Sequence, residues 1–138
     1  MKKKFMLAVG ICLLLISTTA YAAMGLVHNL ADLSAAYSTV GGQPHYVIKG
    51  TSTTKELRTS AGNVKEIIAE GKLFRNNVLV LNGQKLDYNM LQTSKSLDYK
   101  EHSGNIAYTF HSTGKIKYSD GTTADDLNYG YQWVNSVQ

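Results

Sequence analysis

The closing apolar stretch of the chain, Asp126 to Val134, reads DLNYGYQWV and sets Leu127, Tyr129, Tyr131 and Trp133 on alternate residues. A period of two is the period of a strand, whose successive side chains point to opposite faces, and it does not fit a helix. This segment therefore requires a hydrogen-bonded neighbour and one buried face. Its comb of large side chains either fills a core or forms a platform on which something stacks. Core filling is the preferred role, because a strand needs one buried face and this is its most apolar one. Gly130 leaves the other face bare, so that a second backbone or a ligand can come close there.

Alternation recurs upstream. Ile106, Tyr108 and Phe110 alternate up to Ser112-Thr113-Gly114, and Ile116 and Tyr118 alternate beyond it, which predicts a hairpin turning at that triplet. Asn82-Gly83, between Val78–Leu81 and Gln84–Tyr88, predicts another, because Asn-Gly tolerates the positive φ angles of a tight turn. His45 to Lys49, with Tyr46, Val47 and Ile48, reads as a strand. The polar segment TSTTKELRTSAGN reads as a loop or a weak strand, and NMLQTSKSLDYKEHSG as a loop or an irregular edge.

Two segments carry helical spacing. Leu26, Leu30, Leu33 and Tyr37 share one helical face before a stop at Gly41-Gly42, which predicts an amphipathic helix over Leu26–Tyr37. Val64, Ile67 and Ile68, with Asn63 as cap and Gly71 as stop, fit a short second helix. The expected fold is α+β, an N-terminal helix packed on a mainly antiparallel, hairpin-built sheet of about five or six strands.

The first residues, MKKKFMLAVGICLLLISTTAYAAM, have the build of a secretory signal peptide: lysines, an apolar run, then small residues ending in Ala20-Tyr21-Ala22. The run is too short for a membrane span, which takes about 20 apolar residues. Cleavage after Ala22 removes 22 of 138 residues and leaves 116, one domain spanning residues 23–138 with no membrane anchor. The leader resembles those of Gram-negative bacteria, so the expected location is periplasmic or secreted. Cleavage also removes Cys12, the only cysteine, so stability must come from packing and hydrogen bonds, and thiol chemistry is excluded.

Of the formal charge of +4, Lys2, Lys3 and Lys4 supply three, and the remaining chain carries +1. Its lysines are scattered among acids rather than gathered into a phosphate-neutralising stripe, which argues against nucleic acid as a partner. His28, His45, His102 and His111 show no metal-ligand spacing, and no nucleophile elbow or zincin motif is present. Asp120, Asp125 and Asp126 are the one cluster with enough oxygen ligands to raise calcium, but their spacing does not match the calcium-binding loop. Asp87 with Asp98, and Glu66 with Glu70, build no acid–base case.

No catalytic residue, metal site or cofactor is assigned. The expected function is that of a small exported, non-enzymatic interaction protein that binds another protein through an aromatic-rich sheet face or edge, as an inhibitor, immunity factor, adhesin or assembly partner does. The alternative is a small-ligand or carbohydrate-binding module that stacks its ligand on tyrosine and tryptophan. Both rest on Tyr129, Tyr131 and Trp133. If the leader is processed, mass spectrometry of the exported protein will find its N-terminus at or next to Ala23; an intact Met1 in the cell envelope would contradict export with cleavage.

Overall fold

The computed structural model describes residues 25–134, and the expected signal segment lies outside them. Seven strands run through the described residues: β1 Val27–Ser38, β2 His45–Glu56, β3 Val64–Arg75, β4 Val78–Asp87, β5 Gln92–Glu101, β6 Ile106–Tyr118 and β7 Thr123–Val134. They form two antiparallel sheets, ordered β1-β2-β5 and β4-β3-β6-β7. β1 also lies against β7 and β4 against β5, so the sheets meet at both edges and enclose the core between them. The helix-on-sheet arrangement is thereby corrected to an all-β one, whose only helical element among the described residues is the short 3-10 turn Ala61–Asn63.

Each misread segment has a physical reason. Leu26–Tyr37 is not a helix: all but Leu26 belongs to β1, which is paired along its whole length with β2, and its inward positions are Val27, Asn29, Ala31, Leu33 and Ala35 at a period of two. The leucines that mimicked a helical face are split, with Leu26 and Leu30 exposed and Leu33 turned inward. In β3 the register against β6 shifts between Val64 and Glu66, and this bulge lets Val64 and Ile67, three residues apart, both face the core. That is the spacing that imitated a second helix.

The hairpins are also displaced. Between β3 and β4 the turn is Asn76-Asn77, both with positive φ, which suits the two-residue turn of a twisted hairpin. Asn82-Gly83 sits inside β4, where a Cβ on Gly83 would come within 2.9 Å of the Lys95 side chain and 3.1 Å of Leu97 on β5. Ser112-Thr113-Gly114 lies in the middle of β6, which runs unbroken from Ile106 to Tyr118. The first polar segment begins as the second half of β2, in line with the weak-strand alternative, and ends in the turn Ala61–Asn63, while the second contains the whole of β5.

β6 organises the interior. Ile106, Tyr108, Phe110, Ser112, Gly114, Ile116 and Tyr118 all face inward, and this single row touches every layer of the core. Toward one end Phe110 packs with Ile48, Leu73, Leu97 and Val134. Its ring spans the sandwich and rests on bare backbone: a Cβ at Gly50 or Gly71 would fall 2.4 or 2.5 Å from it. Toward the other end Ile116 packs with Val64, Ile67 and Tyr118.

Between these clusters lies a buried polar layer. The Ser112 hydroxyl donates to Ser52 Oγ at 2.6 Å, and the Thr54 hydroxyl donates to the Ile68 carbonyl at 2.8 Å. With its amide oriented so that donors meet acceptors, Asn29 accepts from the Gly114 N–H at 3.1 Å and donates to the Ser112 carbonyl at 3.2 Å. Every buried side-chain polar atom among the described residues has a partner, as burial without water demands.

Both ends of the row finish on a buried carboxylate. The Tyr118 hydroxyl donates to Glu56 at 2.5 Å, and Glu56 also accepts from the N–H groups of Leu26, Arg58 and Thr59. The Tyr108 hydroxyl donates to Glu101, which Arg75 clasps through Nε at 2.5 Å and Nη2 at 3.3 Å. Burial pushes the Glu101 pKa up, but Arg75, Tyr108 and the Ser103 N–H outweigh it and hold the group down at about 2, against an ordinary 4.5. The same balance of burial against donors leaves Glu56 below its usual range.

A lowered carboxylate pKa stabilises the fold above the unfolded value, and the contribution disappears as pH falls toward the folded one. Glu101→Gln is therefore expected to be less stable than the parent at neutral pH, by up to about 3 kcal/mol for a broken buried pair. The gap should close between about pH 4.5 and about pH 2 in acid-dependent denaturant melts. A gap that stays constant over that window would show that Glu101 is not held ionised by these partners.

Candidate functional site

β7 alternates strictly. Leu127, Tyr129, Tyr131 and Trp133 turn outward, while Ala124, Asp126, Asn128, Gly130, Gln132 and Val134 turn toward the core or the β1 edge. The comb does not fill the core: Tyr129 is 61%, Tyr131 66% and Trp133 47% exposed. The reason lies on the other face. β1 runs so close behind β7 that a Cβ on Gly130 would be 2.9 Å from Leu33 Cβ, leaving no room there for a large side chain. Core filling, the role that the alternation alone favours, is thus corrected.

The rest of the seam is held by side chains. Asp126 Oδ2 accepts from the Asn29 N–H of β1 at 2.8 Å, and Asn128 Nδ2 donates to the Asn29 carbonyl at 3.1 Å. Asp126 Oδ1 and Asn128 Oδ1 accept from the N–H groups of Leu127 and Tyr129 on β7 itself, at 3.0 and 2.8 Å. Donors that an edge strand would offer to an incoming strand are consumed at these positions. The free surface of β7 is its outer side-chain face.

Sheet register carries that face across to neighbouring strands. Tyr129 lies opposite His111 of β6, and Tyr131 lies opposite Thr109, which in turn faces Phe74 of β3. Phe74 and His111 have ring centroids 4.5 Å apart, and His111 meets Tyr129 edge-on at 4.8 Å. Leu79 of β4, opposite Phe74 and 47% exposed, extends the patch to the far edge of the sheet. A buried aromatic hides about 150 to 250 Å², so three rings half to two-thirds exposed show roughly 300 Å², a size that marks binding surfaces.

Below the rings the same face becomes charged. Glu70 pairs with Lys72 at 3.4 Å and with Lys115 at 3.8 Å, and these lysines are about half exposed, so the pairs are screened and add little stability. Beyond them is a shallow depression of about 330 Å³ lined by Glu66, Ile68, Lys115, Lys117, Thr123 and Asp125. Acids and bases balance across this half, so the whole face is close to neutral.

The acidic cluster does not converge. Asp120 accepts from both the N–H and the hydroxyl of Thr122, Asp125 faces out opposite Lys115, and Asp126 is bound into the seam. Asp87 is engaged by the Thr93 hydroxyl at 2.6 Å and by Lys85 at 3.1 Å. Among the described residues no group of three or more His, Cys, Asp or Glu is arranged to hold a metal ion.

Phe74, His111 and Leu79 were not legible as members of this patch, because only the pairing of β3, β4 and β6 brings them beside β7. The alternation of β7 itself was the one available signal. Searches against known proteins return no match: no family model, no curated protein and no solved structure. The surface must be interpreted from its own chemistry.

Trp133 is the sole tryptophan, so its emission reports this face directly. A half-exposed indole should emit toward the red and be quenched by acrylamide in the folded protein. Blue-shifted emission that resists the quencher would place the ring inside and remove it from the patch.

Proposed function

We propose that this is a small exported, non-enzymatic interaction protein, periplasmic or secreted, that binds another protein through the outer face of β7 and the strands beside it. Tyr129, Tyr131 and Trp133 are the contact residues, with His111, Phe74 and Leu79 as their neighbours. The observation that carries this reading is the exposure of those three rings on one strand face, together with the consumption of the β7 edge donors by Asp126 and Asn128. It favours the face over the edge as the contact. Tyrosine and tryptophan anchor protein interfaces because they offer large rigid area with a polar tip, and a near-neutral surround adds no large desolvation cost.

A second reading has support from the same rings. Exposed aromatics projecting from one strand are spaced about 7 Å apart, two residues of strand rise, and can stack flat against sugar rings. Carbohydrate or another small ligand is then the partner, with Lys72, Thr113 and His111 within the same face to supply hydrogen bonds.

Tyr129→Ala/Tyr131→Ala distinguishes the readings, because both positions are exposed and the substitution should leave the melting temperature within a few degrees. A protein partner recovered from envelope extract by the parent should be lost with this double variant. Undiminished recovery with the folded variant would exclude the face as the contact. Trp133 fluorescence that shifts with soluble oligosaccharides, and ceases to shift in the variant, would decide for the second reading.

A further inference from the structure

The four histidines are dispersed in sequence, yet two of them meet. His45 opens β2 and His102 follows β5, and because β2 and β5 pair antiparallel, these 57-residue-distant side chains end with ring centroids 5.4 Å apart and planes inclined at 49°. At this separation two imidazoles can both direct a nitrogen at one ion.

The tautomer of His45 is set by its surroundings. Its Nδ1 lies 2.9 Å from the backbone carbonyl of Gln43, which can only accept, so Nδ1 carries the proton. In the neutral ring Nε2 then holds the lone pair; no hydrogen bond to it occurs among the described residues, and since no buried side-chain nitrogen there lacks a partner, Nε2 is the atom of this ring that reaches the surface. A histidine that donates one ring N–H to a backbone carbonyl and leaves the other nitrogen free is the arrangement found behind metal-ligating imidazoles, where the carbonyl fixes the ring and raises its basicity. His45 is 4% exposed, so its ring is held by packing as well, whereas His102 is exposed at the surface.

We propose that His45 and His102 form a two-imidazole site for a late first-row divalent ion, copper(II), nickel(II) or zinc(II), with the remaining coordination positions filled by water. Nitrogen-only protein ligation selects these ions over calcium and magnesium, which require oxygen donors. The nearest carboxylate in sequence, Glu101, is committed to Arg75 and Tyr108, so it does not complete the set. With two protein ligands the ion exchanges readily and tightens in the order zinc or nickel below copper.

The site is separate from the aromatic face, and its test does not depend on any partner. Isothermal titration of the protein with ZnCl₂ and with NiCl₂ in a non-chelating buffer should show a single ion taken up per chain, and MgCl₂ should give no heat of binding. Trace copper(II) should broaden the imidazole NMR signals of His45 and His102 before those of His28 and His111. His102→Ala, at an exposed position that leaves the fold intact, should weaken zinc binding about tenfold or more. His28→Ala and His111→Ala should leave it unchanged. Absence of uptake by the parent, equal uptake by His102→Ala, or first broadening at His28 or His111 would overturn the proposal. Because the broadening is read on the unaltered protein, it stands whether or not any variant folds.

Discussion

The structure depends on the inward row of β6. A phenol at each end, Tyr108 and Tyr118, donates to a buried carboxylate, and each carboxylate draws other strands or loops to it. Glu101 brings β5 and, through Arg75, β3 to the Tyr108 end, while Glu56 gathers the end of β2, the segment after it and the chain entering β1 at the Tyr118 end. A buried ionised carboxylate is tolerated only when several donors surround it. These hydrogen bonds therefore specify where both ends of the sandwich must sit.

Between the ends, the same row sets the distance between sheets. Phe110 fills the gap because Gly50 and Gly71 offer backbone instead of side chains, and Gly114 lets Thr54 and Asn29 approach β6. The polar layer of Asn29, Ser52, Thr54 and Ser112 is the counterpart of that close approach. Where two sheets come too near for large apolar side chains, short hydroxyls and an amide that bond to one another fill the space without leaving an unpaired donor. The seam between β1 and β7 repeats the solution with Asp126 and Asn128.

The outer face follows from the interior. β7 has no inward space beside Leu33, so Gly130 and small or hydrogen-bonding residues occupy that side, and the bulky members of the alternation are displaced outward. Pairing with β6 then sets Tyr129 against His111, and pairing of β6 with β3 adds Phe74. A strand placed at the closing seam of a two-sheet core thus presents its most aromatic face to solvent. The constraint that makes it a candidate contact surface is steric.

The chain alone determined the period of β7, the identity of its outward set as one face, and the strand character of His45–Lys49 and Ile106–Phe110. Periodicity within a strand is local, so it survives in sequence. It did not determine which face is buried, since both faces of β7 look plausible until β1 is placed behind one of them. The helix expected at Leu26–Tyr37 failed for the same reason: β1 is specified by twelve pairings with β2, contacts between residues far apart in the chain. The apparent turns at Asn82-Gly83 and Ser112–Gly114 are glycines recruited for close approach to β5 and to Thr54, a use that local composition does not distinguish from a turn. Only tertiary structure joined His45 to His102 and Phe74 to Tyr129, because antiparallel register, unlike side-chain alternation, is decided by partners that the sequence does not place side by side.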